Sequence, residues 1–194
     1  MAVLPERFNK IKNVLNKRIE NLTVLVEAVS KPHNLSAILR TCDAAGVFNA
    51  NFICAKDQVK TFNSTAQGSQ KWVNLINHPT SSAAILSLKK KGFKLFGTSL
   101  NSQSRDYREL DYSSNTCFVL GAEKWGLSET LVKEVDESIF IPMSGMVQSL
   151  NVSVAASILL FEAIRQRELK GLIPKNGEGL NPKEYENKLF EWSY

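Results

Sequence analysis

Short, β-rich apolar runs alternate with helix-like stretches along this chain, and that alternation constrains its fold more than any other feature. The apolar runs are residues 22–29, 50–54, 72–76, 93–97, 116–120 and 139–143. Bounded by turn residues, such runs read as buried strands. Between them lie helical patterns. Leu35, Ile38, Leu39 and Cys42 recur at helical spacing up to Gly46, a natural stop, and Asn34 sits where an Asx side chain caps free N–H groups. Residues 81–91 form an Ala- and Leu-rich helix ending Lys89-Lys90-Lys91-Gly92, Ser128 caps a helix over 129–135, and 152–161 is an apolar helix. Strand and helix in alternation predict an α/β fold: a parallel sheet flanked by helices on both faces.

Both ends add helices to that core. Pro5 suits a first helical turn, and over residues 5–20 Leu4, Phe8, Ile11, Leu15 and Ile19 share one arc. Arg7, Lys10, Lys17 and Arg18 share the adjoining arc, interrupted by Val14. Residues 181–192 predict a last amphipathic helix through Tyr185, Leu189 and Trp192. The expected division is a basic helical extension over 1–20, a core domain over 21–170 and a C-terminal helical extension over 171–194.

Composition narrows the class. At 194 residues, with 43% hydrophobic and 22% charged, the chain suits one soluble globular domain. Its longest uncharged run, around 152–161, falls short of the about 20 apolar residues that cross a bilayer. The opening MAVLPERFNK lacks the basic-then-apolar order of a secretory signal, so a cytoplasmic location with no membrane is expected. Three cysteines (Cys42, Cys54, Cys117) and two histidines (His33, His78) are scattered without ligand spacing, which predicts neither a disulfide framework nor a metal site. The net charge of +5 is compatible with a polyanionic partner without requiring one.

Polar chemistry gathers at three strand exits: Gly97-Thr98-Ser99, Gly121-Ala122-Glu123 and Met143-Ser144-Gly145. In a parallel sheet the carboxyl ends share a rim, so these turns are expected to meet at one crevice. No GxGxxG, GxxxxGK[ST] or GxSxG occurs, which argues against a dinucleotide site, a P-loop or a serine hydrolase. Plainer roles compete at each candidate. Arg40 suits a surface arginine, Glu123 a partner for Lys124, and the lysine run helix-end electrostatics.

Three ordered runs carry a resemblance. Asn34-Leu35-Ser36-Ala37-Ile38-Leu39-Arg40, then residues 120–128 (LGAEKWGLS), then Ile141-Pro142-Met143 with residues 149–156 (SLNVSVAA), resemble the three motifs of the SPOUT-class RNA 2′-O-ribose methyltransferases. The likeness covers nearly the whole chain and is greatest to the bacterial tRNA (guanosine-18-2′-O)-methyltransferases, which carry helices at both ends of the same core. It implies a C-terminal deep trefoil knot, S-adenosyl-L-methionine as cofactor, tRNA as substrate and a homodimer with the active site near the subunit interface.

Carried over by position, the resemblance implies that Thr98, Leu100, Gly121, Ile141, Met143 and Leu150 bind the cofactor. It makes Asn34, Arg40, Glu123, Ser149 and Asn151 the catalytic cluster, and Arg7, Arg18, Lys89, Arg165 and Arg167 the RNA contacts. The family assigns proton removal to the position of Arg40, yet a guanidinium holds its proton too tightly for a general base. The expected role of Arg40 is therefore to orient the 2′-oxygen through an adjacent phosphate and to stabilise developing negative charge. Two other readings stand beside this one: a sister enzyme acting on ribosomal RNA or another tRNA position, and a non-catalytic RNA-binding dimer that has kept the fold.

Overall fold

The structure, a computed structural model, describes residues 4–27, 31–53, 71–122 and 125–194. In chain order its elements are α1 (Pro5–Leu15), β1 (Leu22–Glu27), α2 (Pro32–Ala44), β2 (Asn49–Ile53), β3 (Asn74–His78), α3 (Ser81–Lys90), β4 (Lys94–Thr98), β5 (Arg105–Asp106), β6 (Thr116–Leu120), α4 (Glu129–Glu134), β7 (Glu137–Phe140), α5 (Val152–Leu169) and α6 (Pro182–Ser193). The strands form one sheet in the order β3-β2-β1-β6-β4-β7-β5, and every pairing is parallel.

Strands β1 and β6 at its centre are apolar on both faces, because both faces are covered. Leu22, Val24 and Val26 of β1 and Phe118 and Leu120 of β6 join the cluster made with α2 and α5. Leu25, Cys117 and Val119 point the other way, into the cluster made with α3 and α4. Helices α1 and α6 pack on one another in a third cluster through Ile11, Leu15 and Trp192, which also takes in Phe48. Trp72 meets Trp192 edge to face at 5.1 Å there.

Several expected elements shift in extent. The run at 139–143 is a strand only to Phe140, and Pro142 lies in the irregular segment beyond. Helix α5 continues well past residue 161, since its later turns bury Ala163 and Arg167. Helix α1 stops at Leu15, where the last N–H groups fall back on Val14 and Leu15 carbonyls in a tighter turn. The polar connection 101–115 holds a two-residue edge strand, β5, and a fully buried Tyr112. That ring sits edge-on to Phe96 and Phe118, and its hydroxyl donates to the Tyr107 carbonyl at 2.6 Å. Residues 54–70 lie outside the described residues.

Candidate active site

The three strand exits do meet. A cavity of about 740 Å³ opens at the carboxyl ends of β4, β6 and β7, over the first turns of α5. Thr98, Leu100, Gly121, Ile141, Met143 and Leu150 all line it, together with Ser149. Ala122, from one of those exits, lines it as well, and so do Val147, Gln148 and Leu159, which nothing in their residue types had marked.

Glycine is what closes one wall. After β6 the chain turns back on itself: Ala122 N–H donates to the Gly126 carbonyl at 3.0 Å, and Gly126 N–H to the Ala122 carbonyl at 2.9 Å. A Cβ on Gly121 would lie 2.1 Å from the Gly126 carbonyl carbon, so any side chain there would force the turn open. A Cβ on Gly97 would press on Val135 and Leu127 at 2.8 and 2.9 Å, blocking the seat of α4 against β4.

A polar joint links the helices beside the cavity. Asn151 caps α5, its Oδ1 accepting from Ser153 N–H at 2.8 Å and Ser153 Oγ at 2.6 Å. That leaves its Nδ2 to donate to Asn34 Oδ1 at 3.1 Å. Asn34 is buried in the first turn of α2, where Lys31, and not Asn34, holds the cap position. Further along the same pair of helices Thr41 Oγ1 and Ser157 Oγ meet at 2.9 Å. Arg40 lies on the exposed side of α2, and its side chain makes no hydrogen bond or ion pair among the described residues. Glu123 lies outside the described residues.

Of the five basic residues expected to contact RNA, three face solvent. Arg7 is exposed on α1, Lys89 pairs with Glu134 at 2.9 Å, and Arg165 pairs with Glu162 at 2.7 Å. That arginine holds the Glu162 carboxyl below its ordinary range.

Arg18 and Arg167 are corrections: both are buried inside the protein and offer no guanidinium to a phosphate. Arg18 follows the end of α1, so its place on a continued helical arc has no meaning. It pairs with the Asp43 carboxylate, donates to the Asp43 carbonyl at 3.1 Å and lies over the Trp192 ring. Arg167 donates to the carbonyls of Tyr112 (3.0 Å), Asn21 (3.1 Å) and Ser114 (2.6 Å) and to Asn21 Oδ1 (2.5 Å). It ties α5 to the amino ends of β1 and β6, the rim opposite the cavity. Burial pushes its pKa down to about 10, which leaves it charged at neutral pH.

Comparison with known proteins follows this geometry. Residues 21–161 match the model of the SpoU rRNA Methylase family. The chain is 50% identical over 186 residues to a tRNA (guanosine(18)-2′-O)-methyltransferase of Thermus thermophilus, covering 96% of this chain and 95% of that one. The crystal structure of the Aquifex aeolicus TrmH/SpoU tRNA modifying enzyme superposes with a TM-score of 0.86 at 39% identity, covering 97% of this chain and 95% of that one. A SpoU methyltransferase from Streptomyces viridochromogenes, AviRb, solved in complex with the cofactor AdoMet, is similar with a TM-score of 0.68 at 26% identity, over 78% of this chain and 59% of that one.

Proposed function

The chain belongs to the SpoU methylase family, and we propose that it transfers a methyl group from S-adenosylmethionine to the ribose 2′-hydroxyl of guanosine 18 in tRNA. The observation that carries this is likeness over nearly the full length, terminal helices included, to relatives named for that reaction. The cavity supports the cofactor reading. Its volume lies within the roughly 300–1,000 Å³ of small-molecule sites. Leu100, Ile141, Met143 and Leu150 offer apolar walls to an adenosine and the methylenes of a methionine chain. The turn at Gly121 and Ala122 lines the same space and brings backbone groups to it.

S-adenosylmethionine, when bound, supplies a methyl group on a positively charged sulfur, electrophilic enough for an alcohol oxygen to accept. What the protein must add is placement of the 2′-oxygen and relief of its proton; placement alone is worth up to roughly 7–11 kcal/mol. Asn34 and Asn151 are held against each other, so their carboxamides form a rigid pair beside the cavity for ribose hydroxyls. Ser149 supplies a hydroxyl at the same mouth. Arg40, exposed and with no acid partner among the described residues, orients the ribose through the adjacent phosphate and stabilises the negative charge that develops on the 2′-oxygen as its proton leaves. Solvent or that phosphate takes the proton. Glu123 completes the cluster in this reading.

The same reading makes the segment after β7 part of the family's C-terminal trefoil knot, pairs two copies through α5 and puts the enzyme in the cytoplasm. Among the described residues no helix is long and apolar enough to cross a membrane. Arg7, Lys89 and Arg165 are the tRNA contacts that remain. Incubation with labelled S-adenosylmethionine and unmodified tRNA, followed by mapping of the methylated ribose, tests the whole. Label is expected at guanosine 18. Label confined to ribosomal RNA would make this the sister enzyme, and label nowhere would leave a binding protein.

A further inference from the structure

Glu27 ends β1 and belongs to none of the three motif runs, yet its carboxylate joins three distant parts of the chain. Its Oε1 accepts from Ser81 Oγ at 2.6 Å and Ser128 Oγ at 2.9 Å, and its Oε2 accepts from the Ser128 backbone N–H at 2.9 Å. Ser128 Oγ accepts in turn from Leu131 N–H at 3.4 Å, capping α4. A carboxylate suits this position because every group facing it in these bonds is a donor.

The turn that Ser128 follows is a wall of the cavity. Gly121, Ala122 and Gly126 line that space, and the reciprocal Ala122–Gly126 bonds tie these residues into one unit. At its entry the unit hangs from β6, whose Leu120 pairs with Val26 of β1. At its exit it is held by Ser128, and Ser128 by Glu27, the residue after Val26. One strand thus fixes both ends of the wall, the first through sheet pairing and the second through a side chain. Ligand sites hold their geometry only when such supporting bonds lock them.

We propose, resting on the cofactor reading above, that Glu27 is a positioning residue: through Ser128 it holds Gly121, Ala122 and Gly126 in the place that S-adenosylmethionine requires. Titration calorimetry of the full chain with S-adenosylmethionine, paired with steady-state kinetics on a tRNA transcript, tests this. Glu27→Ala is expected to weaken cofactor binding about tenfold, the scale of losing hydrogen bonds to a charged group. The KM for cofactor rises with it, and the KM for tRNA stays where it was. Ser128→Ala, which keeps the backbone N–H, falls between wild type and Glu27→Ala, and the double variant is no worse than Glu27→Ala alone. Ser81→Ala breaks only the bond to α3 and leaves cofactor affinity at the wild-type value.

General loosening of the fold would raise both KM values together. Equal rises, or wild-type cofactor affinity in Glu27→Ala, overturn the assignment, and so does a Ser81→Ala defect as large as that of Ser128→Ala. Should Glu27→Ala not fold, Ser128→Ala compared with Ser81→Ala decides by the same criterion. A wild-type chain that takes up no S-adenosylmethionine overturns the cofactor reading, and this assignment with it.

Discussion

Arg165 and Arg167 stand two apart on α5 and have opposite roles. At 100° per residue they point to nearly opposite sides of the helix. Arg165 faces solvent, paired with Glu162, and Arg167 is enclosed among carbonyls of the segments leading into β1 and β6. Replacing Arg167 with Met leaves those acceptors dry, and we expect a loss of about 3 kcal/mol in urea denaturation. Arg165→Ala removes only a surface pair and should leave the denaturation midpoint where it was. Its effect should fall on tRNA instead: weaker binding, and a salt dependence whose slope drops by about 1. A binding measurement across salt concentrations separates the two variants. The family resemblance marked both by position as phosphate ligands, but a guanidinium's partner is chosen by the face it lands on.

At the scale of elements, three neighbouring strands share a buried polar ladder. Thr23 Oγ1 donates to the Asn49 carbonyl at 2.6 Å, and Asn51 Nδ2 donates to Thr23 Oγ1 at 2.9 Å. Asn51 Oδ1 therefore faces His78, whose Nε2 lies 2.9 Å away and takes the donor role. Burial, with a smaller contribution from Lys91, lowers the His78 pKa below 6.5. Between that lowered value and 6.5 the unfolded chain binds more protons than the folded one, so stability falls as pH drops through this window. We expect the thermal midpoint of the wild type to decline there. His78→Gln keeps a donor toward Asn51 and cannot titrate, so its decline should be shallower. Strand β5 and Tyr112 show the limit of reading elements from sequence: a two-residue strand has no period, and one aromatic in a polar stretch carries no sign of the Phe96 and Phe118 rings that enclose it.

For the whole molecule, the dimer proposed above turns on α5. Val154 and Phe161 lie two turns apart on one side of it and remain 45% and 50% exposed, unlike the buried Ala156, Leu159 and Ala163. Exposed apolar residues on the side of α5 turned from the core fit a subunit contact. The chain should sediment as a dimer, and Phe161→Arg should shift it toward monomer in analytical ultracentrifugation. Sequence by itself determined the parallel sheet, since runs apolar on both faces have no other stable home, and it determined the cavity's principal lining, since parallel strands must end on one rim. Tertiary structure decided what depends on contacts between distant residues. It buried Arg18 and Arg167, set Asn34 against Asn151 across two helices, and gave Glu27 its serines. Periodicity records which way a side chain points along its own element; what waits for it there belongs to another part of the chain.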